Sequence, residues 1–274
     1  MNKKLSNYLL STPFFLWIAA FIIIPLFMVF YYGFTDKTGA FTMNNIFAMA
    51  EPWHAKALFI SIVLSIISTI ICFLLAYPLA YILSQMKMGS HQYVIFMFIL
   101  PMWMNFLLRT LAWQTLIEKT GVINGLLGAL GLPGLRIINT NYAIVLGMVY
   151  NYLPFMILPL YNTLAKIDPS VINAARDLGA NSFVTFKRII LPLSIPGIIS
   201  GITMVFVPSL TTFVISNILG GSKILLIGNV IEQEFTVACN WHLGSGLSIV
   251  LMLFIVVNMV LSMIFDKDGE ASAL

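Results

Sequence analysis

The side chains of this sequence that could hold a solute are concentrated in one apolar stretch, where tyrosines and asparagines surround two prolines. In chain order these residues are Tyr150, Asn151, Tyr152, Pro154, Pro159, Tyr161 and Asn162. A tyrosine ring attracts a cation through its negative face, a contact worth roughly 0.5–2 kcal/mol. Each proline frees a backbone carbonyl that can also face a cation. The stretch predicts a surface that attracts a cation; the alternative is that the tyrosines form an interfacial belt and the prolines only kink a helix.

Three polar residues of another apolar stretch allow a similar interpretation. Trp103 and Asn105 could face the same solute, and Arg109 follows one turn later. One interpretation of Arg109 is that its guanidinium extends to lipid headgroups. The other is that it faces the interior of a helix bundle and pairs with a loop carboxylate such as Glu232 or Glu234. The sequence alone does not separate these two interpretations.

Residue patterns for catalysis, for metal binding and for nucleic-acid binding are absent from the sequence. It has no G-x-x-x-x-G-K-[ST] phosphate loop, so a nucleotide would have to be bound by a partner. His54, His91 and His242 lie far apart without cysteine or carboxylate at ligand spacing. The net charge of +4 is not concentrated in a basic run. We therefore predict a protein without catalytic residues, metal or cofactor.

The composition indicates where these residues are positioned. Hydrophobic residues make up 60% of the chain, charged residues 9%, and the mean hydropathy is +0.98, which is typical of an integral membrane protein. A span needs roughly 20 apolar residues, and no ten-residue segment alternates with a period of two. We predict an all-α membrane protein whose single domain, 1–274, contains six spans. Their predicted bounds are 13–32, 57–83, 93–113, 142–165, 194–216 and 247–265. In the fifth span, we predict a helix break where hydroxyl side chains follow a proline, at Pro208, Ser209, Thr211 and Thr212.

Basic residues favour one orientation of this bundle, with both termini in the cytoplasm. The inner segments then contain eight basic residues, namely Lys3, Lys4, Lys87, Lys166, Arg176, Lys187, Arg188 and Lys267. The outer segments contain five, namely Lys37, Lys56, Lys119, Arg136 and Lys223. The loop 166–193 is cytoplasmic in this arrangement.

That loop contains a short helix with clear boundary signals. Asp168 is a good N-cap, Pro169 suits the first helical position, and Gly179 suits a left-handed residue just beyond the end. The apolar residues of this helix recur at helical spacing and predict one apolar face: Val171, Ala174, Ala175 and Leu178. The two alanines would allow another surface to approach closely. About ten residues cannot span a bilayer, so the helix is predicted to be a docking element.

The loop resembles the cytoplasmic EAA loop of ABC importer permeases. That pattern is EAA, three residues, Gly, nine residues and I-x-L-P; here NAARDLG at 173–179 is followed after nine residues by IILP at 189–192. Asn173 occupies the position where the family usually has Glu. The resemblance implies a type I ABC importer permease fold. It also implies that the coupling helix seats in a groove of a cytoplasmic ATPase through Asn173, Ala174, Ala175, Arg176, Asp177, Leu178 and Gly179.

Three further segments, 101–113, 147–161 and 217–235, are similar to the first permease subunit of spermidine/putrescine importers. This resemblance implies a polyamine substrate and a place in the bacterial plasma membrane. The implied partners are a cytoplasmic ATP-binding subunit in two copies, a second homologous permease and an extracellular solute-binding protein. Few carboxylates lie inside the spans, so the second permease would supply most of the negative charge. The path residues of this chain are predicted to be Trp103, Asn105, Tyr150, Tyr152 and Tyr161.

Two alternatives to a polyamine importer are an ABC permease for another small solute and an ion-coupled secondary transporter. The secondary transporter would show acidic residues within its spans and two related halves with interrupted helices. This sequence shows neither clearly, and it has the EAA-type loop.

Overall fold

The computed structural model describes residues 12–86, 97–98, 100–221 and 223–271, with side chains as far as Ile264. The regular structure of these residues is helical, apart from an isolated antiparallel bridge between Thr35 and Phe41. The principal helices are α1 (Thr12–Gly33), α2 (Pro52–Gln85), α3 (Phe106–Ile117), α4 (Val122–Ala129), α5 (Asn141–Leu164), α6 (Pro169–Asp177), α7 (Ser182–Leu193), α8 (Ile195–Thr211), α9 (Val214–Leu219), α10 (Ile227–Thr236) and α11 (Trp241–Ala271).

Four of these helices are long and apolar enough to cross a membrane: α1, α2, α5 and the Trp241–Ile264 part of α11. A fifth span is formed if α7 and α8 are taken together, although they are bent by 62° where they meet. The four long helices agree with the predicted first, second, fourth and sixth spans, and α8 agrees with most of the fifth, whereas α7 lies in the predicted cytoplasmic loop 166–193. The predicted third span, 93–113, lies partly outside the described residues and continues as a 3₁₀ turn, Leu100–Trp103, followed by α3. The count of six spans therefore stays a prediction.

The chain divides into two compact units. One contains the described part of Met1–Lys56 together with Val230–Phe254, and the other contains Ala57–Asn229 and Ile255–Leu274. In the first unit, polar side chains close the loop that follows α1. Asn45 Nδ2 donates to the carbonyls of Gly33 (3.2 Å) and Thr35 (2.9 Å), and His242 Nδ1 lies 2.7 Å from the Thr35 carbonyl oxygen. These contacts satisfy backbone oxygens just beyond the end of the helix.

The core of the second unit is built on the antiparallel pair α5 and α8. Glycines of α8 allow the two helices to approach closely. A Cβ at Gly197 would lie 2.6 Å from Thr163 Oγ1, and one at Gly201 would lie 2.6 Å from Met156 Sδ. The fully buried side chains Met156, Ile157 and Leu160 of α5 belong to this core.

The predicted fifth span, 194–216, is interrupted between α8 and α9. Thr212 has an extended backbone (φ −66°, ψ 138°), so the helix ends at Thr211. The Thr211 hydroxyl donates to the carbonyls of Val207 and Pro208. The prediction of a break near Pro208 is thus confirmed, including the use of a hydroxyl to satisfy freed backbone groups. The last residues of the predicted span, 214–216, lie in α9 beyond the break.

Residues of α10 also contact the break. Asn229 Nδ2 donates to the Phe213 carbonyl at 3.0 Å and to Asn217 Oδ1 at 2.7 Å. Gly228 lies directly against the backbone, because a Cβ there would meet the carbonyl oxygens of Thr211 at 2.6 Å and Thr212 at 2.9 Å. The Phe213 carbonyl also accepts from the Asn217 N–H at 2.9 Å, so Asn229 is its second donor and joins α10 to the start of α9.

Candidate coupling surface and solute path

The start of α6 is fixed by side-chain capping. Asp168 has extended backbone, its Oδ1 accepts from the Ser170 backbone N–H at 2.8 Å, and Pro169 follows in the first turn. The backbone N–H and then the hydroxyl of Ser170 hold the pKa of the Asp168 carboxyl below its usual value. A carboxyl with a lowered pKa stays charged as the pH falls, so the cap is complete at neutral pH and is lost only on acidification through that pKa. The predicted N-cap is confirmed.

The end of α6 is a Schellman motif. Gly179 has φ +84°, its N–H donates to the Arg176 carbonyl at 2.9 Å, and the Ala180 N–H donates to the Ala175 carbonyl at 3.0 Å. A Cβ added at Gly179 would meet nothing within 4 Å. The requirement for glycine therefore comes from the backbone angle alone, and the predicted left-handed residue is confirmed.

Helix α6 has two apolar sides, of which only one is open. Ala175 is 8% exposed, and Ile172 packs against the core of the second unit. Val171 is 43% exposed and Leu178 is 90% exposed, with exposed Ala174 between them on the same side. The prediction that Ala174 and Ala175 share one approachable face is therefore wrong, because successive helical residues are 100° apart and Ala175 turns towards its own chain. We define the docking face as Val171, Ala174 and Leu178.

The polar residues of the predicted coupling set surround this face. Asn173, Arg176 and Asp177 are exposed. Beyond Gly179 the apolar surface continues at Phe183, which is 70% exposed in the first turn of α7. That turn is capped by Asn181, whose Oδ1 accepts from the Val184 N–H at 2.9 Å.

An elbow connects the docking loop with α8. Residues Phe186–Ile190 form a π-helical turn, and Ser194 lies at the 62° bend. The Ser194 hydroxyl donates to the Leu191 carbonyl at 2.8 Å and lies 2.9 Å from the Tyr77 hydroxyl of α2. Because the serine proton is used on Leu191, Tyr77 donates to Ser194. The sequence interpretation did not include Tyr77 and Ser194, although prolines on both sides of Ser194, at 192 and 196, signal a bend.

The predicted path residues of α5 lie on different sides of the helix. Tyr150 is 37% exposed, and its ring makes a T-shaped contact with Trp113 at 5.2 Å. Tyr152 is 8% exposed and its hydroxyl donates to the Pro208 carbonyl at 3.3 Å. Two residues along a helix are about 200° apart, so these rings cannot face one path together. Tyr152 belongs to the contact between α5 and α8, and Tyr161 also packs against the core.

Two of the remaining path candidates lie at the start of α3. Asn105 is its N-cap, since Oδ1 accepts from the N–H groups of Leu107 (2.8 Å) and Leu108 (3.3 Å). Trp103 is 76% exposed in the preceding 3₁₀ turn. The structure therefore leaves Trp103 and Tyr150, with Trp113 beside the latter, as aromatic residues that a solute could reach. Trp113 was not among the predicted residues, but it lies in the same segment as Trp103.

Arg109 is buried rather than extended to lipid. It is 8% exposed in α3, and its Nε has no hydrogen-bond partner among the described residues. The interpretation that the Arg109 guanidinium extends to lipid headgroups is therefore wrong. The alternative, a pairing with a loop carboxylate, stays a prediction.

Two of the three histidines considered for metal binding, His54 and His242, lie among the described residues, and each makes its own hydrogen bond. His54 Nδ1 lies 2.7 Å from the Ala48 carbonyl oxygen, and His242 Nδ1 contacts the carbonyl of Thr35. His91 lies outside the described residues. The Nδ1 atoms of His54 and His242 thus each contact a different backbone carbonyl.

Comparisons with known proteins agree with this geometry. The sequence profile of the family described as "Binding-protein-dependent transport system inner membrane component" matches residues 55–267. The spermidine/putrescine transport system permease protein PotB of Haemophilus influenzae is 39% identical over 244 residues, which are 86% of this chain and 85% of the relative. PotB of Escherichia coli K12 is 36% identical over 245 residues, which are 86% of this chain and 89% of the relative.

Solved structures show the same fold at low sequence identity. A bacterial ABC transporter involved in import of the acidic polysaccharide alginate has a chain with a TM-score of 0.80 and 17% identity; the match covers 98% of this chain and 96% of that chain. A second alginate transporter structure contains a periplasmic protein bound to an alginate pentasaccharide. The chain therefore belongs to the binding-protein-dependent transport system inner membrane components, and it is a multi-pass, non-catalytic permease of a type I ABC importer.

Proposed function

We propose that this chain is a permease subunit of an ATP-driven polyamine importer and that α6 transmits the state of a separate ATPase to the spans. The observation that carries this proposal is the docking face of Val171, Ala174 and Leu178. These three side chains are exposed on a helix whose ends are both fixed by caps and whose other side is held by its own chain. A rigid, small-residue apolar surface is suited to a close-fitting partner.

The identity of the solute rests on the relatives and on exposed aromatic residues. The two relatives with 39% and 36% identity are named for spermidine and putrescine. Trp103 and Tyr150 offer ring faces that would attract a flexible organic cation. The fold itself does not select the solute, because the alginate transporter shares it at 17% identity. Another small solute is therefore the second candidate.

The proposed assembly contains two ATP-binding subunits, a second homologous permease and an extracellular solute-binding protein. The chain has no phosphate-binding loop, so hydrolysis takes place on the ATP-binding subunits. The second permease supplies carboxylates for the cation path. Both termini of this chain are cytoplasmic, which places α6 on the side of the ATPase.

Stimulated ATP hydrolysis tests the polyamine proposal. The intact complex, purified with its neighbouring subunits and reconstituted in liposomes, should hydrolyse ATP faster with spermidine-loaded binding protein than with the empty binding protein. The matched comparison uses a neutral solute of similar length at the same concentration. Equal stimulation by both solutes, or none by spermidine, would contradict a polyamine substrate while leaving the assignment as a permease intact.

The path assigned to Tyr150 predicts a difference between two substitutions. Tyr150→Leu should reduce spermidine import about two- to fivefold, since an exposed cation–π contact is worth roughly 0.5–1 kcal/mol. Tyr150→Phe keeps the ring and should import normally. Import is measured at equal abundance of the variants in the membrane. Binding of the ATPase to α6 should be the same in both variants. Normal import by Tyr150→Leu would place this ring among packing residues.

The orientation predicts which loops an impermeant thiol reagent can reach. In a variant with Cys72→Ala and Cys239→Ser, a single cysteine at exposed position Ser182 should react in inverted vesicles and not in intact cells. A cysteine at exposed position Thr38, in the loop after α1, should show the reverse pattern. Labelling of Ser182→Cys in intact cells would overturn the proposed orientation and with it the docking of α6 to a cytoplasmic partner.

A further inference from the structure

Helix α4 and the loop after it form a surface that the transport role does not use. Val122 is 57% exposed, Leu126 is 62% exposed and Leu130, just beyond the helix, is 74% exposed. They recur at i, i+4 and i+8, so they lie along one side of the helix. Leu132 and Leu135 in the following loop are also exposed. Ile123, the neighbour of Val122 in the chain, packs against the core of the second unit and holds α4 to it.

This surface is rigid, because one side chain clamps the helix to the loop. Asn124 Oδ1 accepts from the Leu135 N–H at 2.6 Å, and Asn124 Nδ2 donates to the carbonyls of Leu135 (3.0 Å) and Glu118 (2.9 Å). All three contacts involve the polar groups of a single residue. The apolar residues are thus held on the outside of a closed turn, and the loop cannot fold them inward without losing this clamp.

The charge pattern of the segment indicates what covers it. No charged residue lies between Lys119 and Arg136, a run of 16 residues, 120–135. Both flanking residues are basic and exposed. Basic residues at the ends of an apolar segment suit the phosphates of lipid headgroups, while the apolar side chains suit the acyl boundary below them.

The position of the segment along the bundle supports the same conclusion. Helix α5 has 24 residues and is about 36 Å long, close to the thickness of a bilayer core. Helix α4 precedes its first residue, Asn141, whereas α6 follows its last residue, Leu164. Tyr142, in the first turn of α5, is 77% exposed, and exposed tyrosine is typical of the membrane interface. The apolar surface therefore lies near the bilayer boundary opposite the docking face.

We propose that α4 with its loop is a membrane anchor that lies in the headgroup boundary of one leaflet, with Val122, Leu126 and Leu130 directed into lipid. It fixes the level of the spans in the bilayer at the end away from the ATPase. A protein partner is a poorer match for this surface. Transient protein interfaces are only about 56–58% apolar by area, whereas 120–135 contains no charged residue.

The accessibility of spin labels tests the anchor. In the intact complex with Cys72→Ala and Cys239→Ser in this chain, a nitroxide is placed in turn at positions 122, 126 and 130, and the complex is reconstituted in phosphatidylglycerol-containing liposomes. Collisions with oxygen, which partitions into lipid, are compared with collisions with a water-soluble nickel chelate. Labels at Phe21, exposed in α1, and at Glu118, exposed in the loop before α4, serve as lipid and water references.

We expect oxygen collisions to exceed nickel collisions at all three positions, as at Phe21, and the reverse at Glu118. Nickel exceeding oxygen at the three positions would show a water-facing surface and overturn the proposal. Low collision rates with both reagents would show a protein partner there and also overturn it. Neither outcome bears on the polyamine or ATPase assignments, since those depend on α6 and on the solute path.

Discussion

Replacing Ala174 with tryptophan should reduce import about fivefold or more while the spans remain inserted. Ala174 lies between Val171 and Leu178 on the docking face, where its small side chain allows a partner backbone to approach. Forcing a large side chain into a fitted contact costs roughly 1–3 kcal/mol. That cost corresponds to about 5–150-fold in an equilibrium between docked and undocked states. The measurements are recovery of the ATPase with the tagged chain and import at equal membrane abundance.

Ala174→Ser is the matched control, since it changes the chemistry of the position without adding bulk. It should retain both the ATPase and most of the import. Ala175→Trp is not an equivalent test, because Ala175 is buried against its own chain and a large residue there would disturb α6 itself. Normal import by Ala174→Trp would mean that the ATPase does not bind this side of the helix.

Gly179→Val should uncouple ATP hydrolysis from import more than it lowers the abundance of the chain. A β-branched residue at φ +84° costs roughly 1–2 kcal/mol from the left-handed backbone. That strain opposes the two hydrogen bonds of the Schellman motif and corresponds to about a 5–30-fold change in the population of the capped end. The measurement is the ratio of solute imported to ATP hydrolysed in the reconstituted complex.

Gly179→Asn is the control for this backbone explanation. Asparagine tolerates positive φ better than valine, and space is not limiting for either side chain, because nothing lies within 4 Å of the Cβ position. We expect Gly179→Asn to keep most of the coupling. An equal loss in both variants would show that Gly179 is needed for close contact with the ATPase rather than for its backbone angle.

The boundaries of α6 were predictable because they depend on neighbouring residues. Asp168 and Gly179 contact backbone groups two and three residues away, so their types and spacing contain the required information. The sides of the helix were less predictable. Both the buried and the exposed side of α6 carry small apolar residues. The helical period of the apolar residues does not indicate which side packs against the rest of the chain, and Ala175 lies on the buried side.

The arrangement of the α5 tyrosines was predictable from the sequence, whereas the contact between Asn229 and Phe213 was not. The separation of Tyr150 from Tyr152 follows from the helical period and could have been recognised before the structure. The hydrogen bond from Asn229 to the Phe213 carbonyl could not, because Asn229 lies on another helix, 16 residues later. The burial of Arg109 depends on the same kind of tertiary packing.

The contacts made by α10 impose an order on biosynthesis. The backbone N–H of Ile227 donates to Ser61 Oγ at 2.8 Å, across 166 positions of the chain. At about 5–20 residues per second, the ribosome supplies Ile227 roughly 8–33 s after Ser61. During that interval the Ser61 hydroxyl can already donate to the Ala57 carbonyl within α2, at 2.9 Å. Its oxygen stays available as an acceptor. Asn229, whose amide donates to the Phe213 carbonyl, follows Ile227 by two residues. A nascent chain that has not yet reached Ile227 therefore lacks the hydrogen bond that joins α10 to α2.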